Sequence, residues 1–350
     1  AVPLHQGHTD ALEGERHLDA EILQVVGGEV VGMRVEGRRE SIQEACEDVL
    51  SGDLLEALDP QLVALAEQSS GLLEGLPGLA KTLMVRTLAQ AIHTGFRRIQ
   101  FTPDLLPTDI IGTPIFDQSS SQFRVQKGPI FSNIILADEI NRAPPKVQAA
   151  LLEAMEESQV TIAGETYPLD APFMVLATQN PVELHGTYPL AEAQLDRFAL
   201  KLEIGYPTKE EEKTIVRRVA AAGQKPIEAV TTVEELASAR ESVASVHLEE
   251  KVLDYIVELT FATREPSGVG LADLEDLIEF GTSPRATIFL TRVSRARAYL
   301  QGRDYVIPDD AKAMAPAVLR HRLRTTYEAD ARGIDSGEIV RRVLDAVPAP

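Results

Sequence analysis

Residues 71–82, which read Gly-Leu-Leu-Glu-Gly-Leu-Pro-Gly-Leu-Ala-Lys-Thr, decide the fold class of this chain. The apolar pair Leu72-Leu73 precedes a glycine loop, and a helical stretch follows from Leu83 to Ile92. A strand, a glycine loop and a helix in this order form a phosphate cradle, in which backbone N–H groups and the helix dipole hold the phosphates. The stretch therefore predicts an α/β fold with a phosphate site at the loop.

The loop supplies the candidate contacts to ATP. Lys81 would reach the β and γ phosphates, and the Thr82 hydroxyl would join the coordination of Mg²⁺. Ala80 stands where the pattern usually has glycine. Its methyl group would lie close to the phosphates, and alanine disfavours a positive φ. The loop alone is therefore a weaker match than the pattern demands. The candidate contacts are Gly75, Pro77, Gly78, Leu79, Ala80, Lys81, Thr82 and Leu83.

Two acidic residues follow a second apolar run, Ile134 to Ala137, which is typical of a buried strand in a parallel sheet. Ligands of parallel sheets bind at the carboxyl ends of the strands. Asp138 would hold Mg²⁺ there, directly or through water, and Glu139 would polarise the attacking water as general base. The alternative is that both are solvated acids at the start of a loop, which are common in an acidic chain.

A third apolar strand, Phe173 to Ala177, ends in Thr178-Gln179-Asn180. The amides would emerge at the same edge of the sheet as the two acids. Asn180 could then orient water against the γ phosphate. By itself it is more often a turn residue before a proline, so only its placement favours the functional interpretation.

The pattern of apolar and polar residues divides the chain into three parts. Residues 1–70 form an N-terminal segment of helical character, and residues 71–206 alternate short apolar runs with amphipathic helices, as in a parallel sheet with flanking helices. Thr208 and Glu211 form a capping box that opens a run of helices. Residues 207–350 are therefore predicted to form a helical second domain.

Charge and composition limit the partners. The formal net charge of -20, from 54 acidic and 34 basic residues, repels phosphate backbones and so disfavours nucleic acid as a partner. One set of arginines is a local exception, which we interpret as a solvated or subunit-facing surface; it comprises Arg285, Arg292, Arg295, Arg297 and Arg303. The lone Cys46, the polar start and the lack of a long apolar stretch favour a cytoplasmic protein without membrane insertion.

Several ordered motifs resemble the MoxR branch of AAA+ ATPases, and the resemblance covers most of the chain, from Gly71 to Leu323. An alanine at this position of the loop is typical of that branch. The resemblance implies a P-loop NTPase core of the AAA+ type, followed by a C-terminal all-α lid domain. The matching segments are 75–82, 137–143, 180–181, 186–190, 193–198, 283–286, 302–305 and 319–323.

The resemblance also implies roles for two arginines. Arg197 would be an arginine finger that enters the ATP site of a neighbouring subunit in a ring, for which a hexamer is the expected size. The alternative is an arginine that caps a helix C-terminus. Arg285 would be the second sensor, which reaches from the lid to the nucleotide and couples hydrolysis to lid rotation.

The family carries two insertions, and this chain has candidates for both. The segment from Pro103 to Phe123 resembles an insert in the second helix that faces the ring pore, and the segment from Gln159 to Leu169 predicts a β-hairpin with Gly164 at its turn. The Val-Gly-Gln segment that the family uses for adenine has no clean copy here. Residues 25–28 and 30–33 are the candidates, so the base preference is open.

Three functions follow as hypotheses. The first is a Mg-dependent ATPase that acts as a chaperone-like factor on a protein client. The resemblance implies von Willebrand factor A-domain proteins as candidate partners. The second is a nucleotide-binding scaffold with little turnover. The third is a nucleic-acid remodeller, which the acidic balance disfavours.

Overall fold

The computed structural model describes residues 41–42, 44, 46, 50, 58–67, 69–75, 79–180, 186–220 and 227–350. Two of the candidate loop contacts, Pro77 and Gly78, lie outside the described residues. Both candidate adenine segments, 25–28 and 30–33, lie outside them as well, as does most of the predicted N-terminal segment. Cys46 is described, and it is buried.

Among the described residues, five parallel strands form the central sheet, in the order β2-β5-β8-β1-β9. Strand β8 therefore lies between β5 and β1, which brings the carboxyl ends of three predicted strands together. All residues of β5 are buried, as expected for a strand whose two faces are both covered. The strands are β1 (Gly71–Gly75), β2 (Phe96–Gln100), β5 (Ile134–Asp138), β8 (Met174–Gln179) and β9 (Leu200–Ile204).

Helices cover the sheet in the first half of the chain. In α4, Val147, Leu151 and Ala154 are buried at helical spacing, and a proline occupies the first helical position. These positions form one core-facing stripe along the helix. The helices here are α1 (Leu58–Ala66), α2 (Lys81–Ala91), α3 (Pro107–Ile111), α4 (Pro145–Glu157) and α5 (Glu192–Leu195), with a 3₁₀ turn at Ile140–Arg142.

Two antiparallel hairpins project from this half. The first pairs β3 (Gly112–Asp117) with β4 (Gln122–Lys127), so it extends past the predicted end of the first insertion at Phe123. The second pairs β6 (Gln159–Ile162) with β7 (Glu165–Pro168), and Gly164 has a φ of 91° at the turn. The predicted second hairpin is therefore present, and its turn needs the left-handed conformation that glycine tolerates.

The second half is helical, as predicted, with one short antiparallel ladder. Thr208 and Glu211 form the predicted capping box, with the Thr208 N–H donating to Glu211 Oε2 at 2.6 Å. The helices are α6 (Lys209–Ala220), α7 (Val233–Ser245), α8 (Glu250–Ala262), α9 (Pro284–Leu300), α10 (Pro308–Leu319), α11 (Tyr327–Ala331) and α12 (Ser336–Ala346). The ladder pairs β10 (Ile278–Phe280) with β11 (Arg324–Thr325), and 3₁₀ turns span Pro266–Val269 and Ala272–Leu277.

The hydrophobic core is continuous between the two halves. One face of the sheet, represented by Leu73, packs in the same buried cluster as α1 and the lid helices α9 and α10. The other face, represented by Leu72, packs on α4 and the hairpins. The alternation of these two leucines follows from the two-residue period of a strand. The domain boundary between residues 206 and 207 stays a prediction.

Candidate active site

A cleft of about 350 Å³ opens at the carboxyl ends of the sheet strands, where parallel sheets bind ligands. Its volume falls in the range of small-molecule sites, roughly 300–1,000 Å³. We call it the Lys81 cleft. Its lining residues are Leu79, Ala80, Lys81, Thr82, Arg98, Asp138, Glu139, Thr178, Gln179 and Asn180.

The backbone on either side of the glycine loop is tightly constrained. A Cβ atom at Gly75 would lie 2.7 Å from the carbonyl oxygen of Ile204, so no side chain fits there without a backbone shift. Ala80 precedes α2 with φ 53° and ψ 23°, in the left-handed region. The expectation that alanine would avoid a positive φ at this position is therefore wrong. The surrounding structure holds Ala80 there at a cost of about 1 to 2 kcal/mol.

Lys81 lies at the first turn of α2, where helix N–H groups favour anions. Its ammonium group donates a hydrogen bond to the carbonyl oxygen of Gly75. Burial lowers the pKa of Lys81 from its usual value, and the negative charges of Asp138, Glu139 and Glu74 act in the opposite direction. The lysine is thus a half-buried cation among carboxylates, which suits a group that receives phosphate.

Asp138 is buried, and both of its carboxylate oxygens have partners. Thr178 Oγ1 donates to Oδ1 at 2.6 Å, while Arg98 donates to Oδ2 from Nε at 2.9 Å and from Nη2 at 2.5 Å. The same Thr178 oxygen accepts the backbone N–H of Glu139 at 2.8 Å. These contacts orient the carboxylate toward the Lys81 cleft.

The donor set of the cleft fits Mg²⁺. A threonine hydroxyl, Thr82, and a carboxylate, Asp138, line the same cleft, and Mg²⁺ prefers one or two such oxygen ligands together with substrate phosphates and waters. Within the described part of the chain, no group of three or more His, Cys, Asp and Glu side chains could hold a metal ion by itself. The residues present therefore suit a metal shared with phosphates rather than one enclosed by protein.

Glu139 adopts a left-handed backbone conformation, with φ 57°, directly after β5. Its Oε2 accepts a hydrogen bond from Gln100 Nε2 at 3.0 Å and forms an ion pair with Arg142 Nε at 3.0 Å. Positive φ is uncommon for a residue with a long side chain and is often found at functional sites. The carboxylate is therefore held at the mouth of the cleft by side chains from β2 and the 3₁₀ turn.

Sequence reasoning gave no role to two residues that line this cleft, Arg98 and Thr178, or to Gln100, which contacts Glu139. Arg98 and Gln100 are two apart on β2, so they lie on one face of the strand, and the sheet order places them beside β5. Thr178 lies one strand further along, on β8. The strand that carries Arg98 and Gln100 was not predicted, and the available signal was two polar residues that flank Ile99 at alternate positions. Asn180, which was predicted, does line the cleft and is buried.

Arg197 and Arg285 do not lie in this cleft. They line a separate cavity, which we call the Arg197 cavity, together with Ser69, Ser70, Met155, Glu156, Phe289 and Arg292. Arg197 Nη2 lies 3.2 Å from Glu156 Oε2, and Arg285 Nη2 forms an ion pair with the other oxygen of Glu156. The two arginines therefore share one carboxylate as their counter-ion.

Arg285 lies outside the Lys81 cleft of its own chain, and its role as the second sensor stays a prediction. The reason for this placement lies at the start of α9, where Ser283 Oγ donates to the carboxylate of Asp196 at 2.9 Å. This contact holds the first turn of α9 beside the segment that follows α5. Arg285 therefore lies next to Arg197, rather than beside Lys81.

Members of the basic set on and after α9 form ion pairs with acids of the same chain. Within the chain, Arg292 pairs with Glu67 at 2.8 Å, and Arg303 and Arg297 lie 2.6 and 3.6 Å from the buried Asp310. Most of the positive charge of this set is thus neutralised by acids of the same chain. This leaves little local attraction for a phosphate backbone.

Comparison with known protein families gives two matches. The ATPase family associated with various cellular activities (AAA) matches residues 70–200, and the AAA lid domain matches residues 272–343. The first match contains four of the five strands of the central sheet and ends at the first residue of β9, and the second contains all of α9 and α10. The first match therefore includes every residue that lines the Lys81 cleft.

Three individual proteins are similar over most of the chain. Chaperone MoxR1 of Mycobacterium tuberculosis is 44% identical over 93% of this chain and 85% of its own length. The protein YeaC of Bacillus subtilis is 46% identical over 83% of this chain and 88% of its own length. A solved structure, assigned as an ATPase from Cytophaga hutchinsonii, has a TM-score of 0.87 at 44% identity and covers 94% of this chain and 99% of that one.

Proposed function

Because the chain belongs to the MoxR family of AAA+ ATPases, we propose that it binds Mg-ATP in the Lys81 cleft and hydrolyses the bond to the γ phosphate. The observation that carries this proposal is the convergence of a lysine, a threonine hydroxyl and two acids in one cleft at the end of the sheet. Lys81 contributes a half-buried positive charge for the phosphates, and the N-terminus of α2 adds backbone N–H groups.

We assign roles to four further residues that line the cleft. Thr82 and Asp138 would hold Mg²⁺, which, when bound, neutralises charge on the phosphates. Glu139 would accept a proton from the attacking water, and Asn180 would orient that water. The contacts of Glu139 with Gln100 and Arg142 fix its carboxylate at the cleft before water is activated.

We further propose that the site is completed by a second copy of this chain. Arg197 and Arg285 lie in their own cavity, apart from Lys81, so they are available to a phosphate that a neighbouring subunit presents. A cation at the γ phosphate stabilises the charge of the transition state by several kcal/mol in such enzymes. A closed ring, with a hexamer as the expected size, would use one such contact at each interface.

Phosphate release by the Glu139→Gln variant tests the ATPase proposal. The variant should bind ATP as the unchanged protein does but lose turnover by on the order of 100-fold or more, because the general base is removed. Glu153→Gln is the matched control, since this exposed glutamate lies on α4 away from the Lys81 cleft. Undiminished phosphate release by Glu139→Gln would favour the nucleotide-binding scaffold instead.

A protein client is the proposed object of the hydrolysis. The similarity to a protein named Chaperone MoxR1 supports a chaperone-like role, and a von Willebrand factor A-domain protein is one candidate partner. Within the described residues, no helix has both the length and the apolar composition that crossing a membrane requires. Partners trapped on the Glu139→Gln protein with ATP, and identified by mass spectrometry, should be proteins. Recovery of nucleic acid alone would contradict this.

A further inference from the structure

Arg322 is a buried positive charge that uses every N–H group it carries. Its side chain is only 1% exposed. Nε donates to Asp196 Oδ1 at 2.8 Å, and Nη2 donates to the carbonyl oxygens of Asp196 at 2.9 Å and Phe198 at 2.6 Å. Nη1 donates to the carbonyl oxygens of Ala199 at 3.1 Å and Val318 at 2.5 Å.

Two of the residues that Arg322 contacts flank Arg197 in the sequence. Asp196 precedes it and Phe198 follows it, and the carbonyl oxygens of both accept hydrogen bonds from Arg322. His321, beside Arg322, contacts the same Phe198 oxygen through Nε2 at 2.9 Å. Two consecutive lid residues therefore fix the backbone from which the Arg197 side chain extends.

The same cluster reaches Arg285. The Asp196 carboxylate accepts from Ser283 Oγ, which is the N-cap of α9, and Ser283 Oγ accepts the backbone N–H of Arg285 at 3.2 Å. Asp196 thus connects the backbone of both arginines in the Arg197 cavity. We call Arg322, Asp196 and Ser283 the brace.

The electrostatics of the brace favour a positioning role over a simple gain in stability. Burial lowers the pKa of Arg322 to about 10, whereas the charge and hydrogen bond of Asp196 act in the opposite direction. A buried ion pair generally stabilises a fold no more than an apolar pair of the same volume does. What such a pair does supply is a directed, five-donor geometry that an apolar pair lacks.

We propose that Arg322 is a positioning residue, which holds Arg197 and Arg285 in one fixed geometry so that together they meet the γ phosphate of a neighbouring subunit. The proposal rests on the proposed ATPase function. Arg322 does not touch the nucleotide, because its guanidinium is enclosed by the 196–199 segment, Val318 and the ring of Phe289. Its effect on hydrolysis passes through the backbone of Arg197 and the cap of α9.

Steady-state kinetics of Arg322→Lys provides the first test. Lysine keeps the charge but loses the forked donors, so kcat should fall by on the order of 100-fold, as for a misplaced catalytic group. The KM for ATP should change by less than about threefold, because the Lys81 cleft shares no residue with the brace. Unchanged kcat would contradict the proposal.

Arg320→Lys is the matched control. Arg320 also connects the lid to the core, but its ion pair is with Glu203 at 2.7 Å and its Nε donates to the carbonyl oxygen of Pro316, both outside the 196–199 segment. If Arg322 only holds the lid against the core, Arg322→Lys and Arg320→Lys should lose activity to the same extent. The proposal requires the loss to be specific to Arg322.

Mixed assemblies separate positioning from simple loss of structure. An Arg322→Lys subunit keeps its own Lys81 cleft and Glu139, whereas a Glu139→Gln subunit keeps a correctly held Arg197. Mixing the two should restore phosphate release well above the sum of the separate preparations. Absence of any gain would overturn the proposal.

A milder variant keeps the proposal testable if Arg322→Lys does not fold, as judged from its thermal unfolding. Ser283→Ala removes a single hydroxyl and should lower kcat by about tenfold while ATP binding is kept; an unchanged kcat there would count against the brace. The ATPase proposal has its own test. It fails if the Glu139→Gln variant releases phosphate as fast as the unchanged protein does.

Discussion

Thr178 Oγ1 donates a 2.6 Å hydrogen bond to Asp138 Oδ1 and accepts a 2.8 Å hydrogen bond from the backbone N–H of Glu139. One hydroxyl on β8 therefore orients both acids at the end of β5. Thr178→Val keeps the shape of the side chain but leaves two polar groups unpaired, which should cost about 1 to 3 kcal/mol of unfolding free energy.

The same variant should also raise the Mg²⁺ concentration needed for half-maximal ATPase activity, because Asp138 Oδ1 loses its partner and only Oδ2 is still held, by Arg98. A Mg²⁺ titration of phosphate release measures this. Thr178→Ser keeps the hydroxyl and is the control, which should resemble the unchanged protein. Equal Mg²⁺ requirements for the valine and serine variants would contradict the role of Thr178.

Gly75 is predicted to be irreplaceable for steric reasons. A Cβ atom there would meet Ile204 O at 2.7 Å, so Gly75→Ala should lower the unfolding free energy by about 1 to 3 kcal/mol, as overpacking does, and should weaken ATP binding. Gly268→Ala is the control, because a Cβ at Gly268 meets no heavy atom within 4 Å. Denaturant unfolding of the two variants, with ATP titration, makes the comparison.

His321 should make the stability of the protein fall in mild acid. Burial, and next the positive charge of Arg322, lower the pKa of His321 well below the usual value of 6.5. At pH values below that usual value, His321 binds a proton in the unfolded chain but stays neutral in the folded chain. Protonation therefore favours the unfolded chain, and the free energy of unfolding decreases as the pH falls. The added slope should approach about 1.4 kcal/mol per pH unit.

Denaturant unfolding between roughly pH 7 and pH 5 measures this slope. His321→Gln can still donate to the carbonyl oxygen of Phe198 but does not titrate, so its stability should depend less steeply on pH. Parallel curves for the variant and the unchanged protein would show that His321 is not the group responsible.

The fold and half of the site could be predicted because their signals are local in the sequence. An apolar run such as Ile134 to Ala137, followed by Asp138 and Glu139, indicates a strand end without knowledge of its neighbours. The left-handed conformation of Ala80 was missed because tertiary contacts outweigh the intrinsic preference of alanine.

The contacts that sequence reasoning missed depend on which elements are neighbours in space. Arg98 meets Asp138 only because β2 pairs with β5, although the two residues are far apart in the chain. Likewise, the placement of Arg285 beside Arg197 depends on Ser283 and Asp196, which come from different domains of the predicted scheme. No pattern within a single segment indicates such pairs.

Complementation between two inactive variants tests the central claim most directly, namely that ATP is hydrolysed at a site that two subunits complete. Arg197→Ala subunits keep Glu139, and Glu139→Gln subunits keep Arg197. Each preparation alone should release phosphate slowly, and their mixture should release it well above the sum of the two. A mixture no more active than its separate components, while the unchanged protein is active, would contradict the claim.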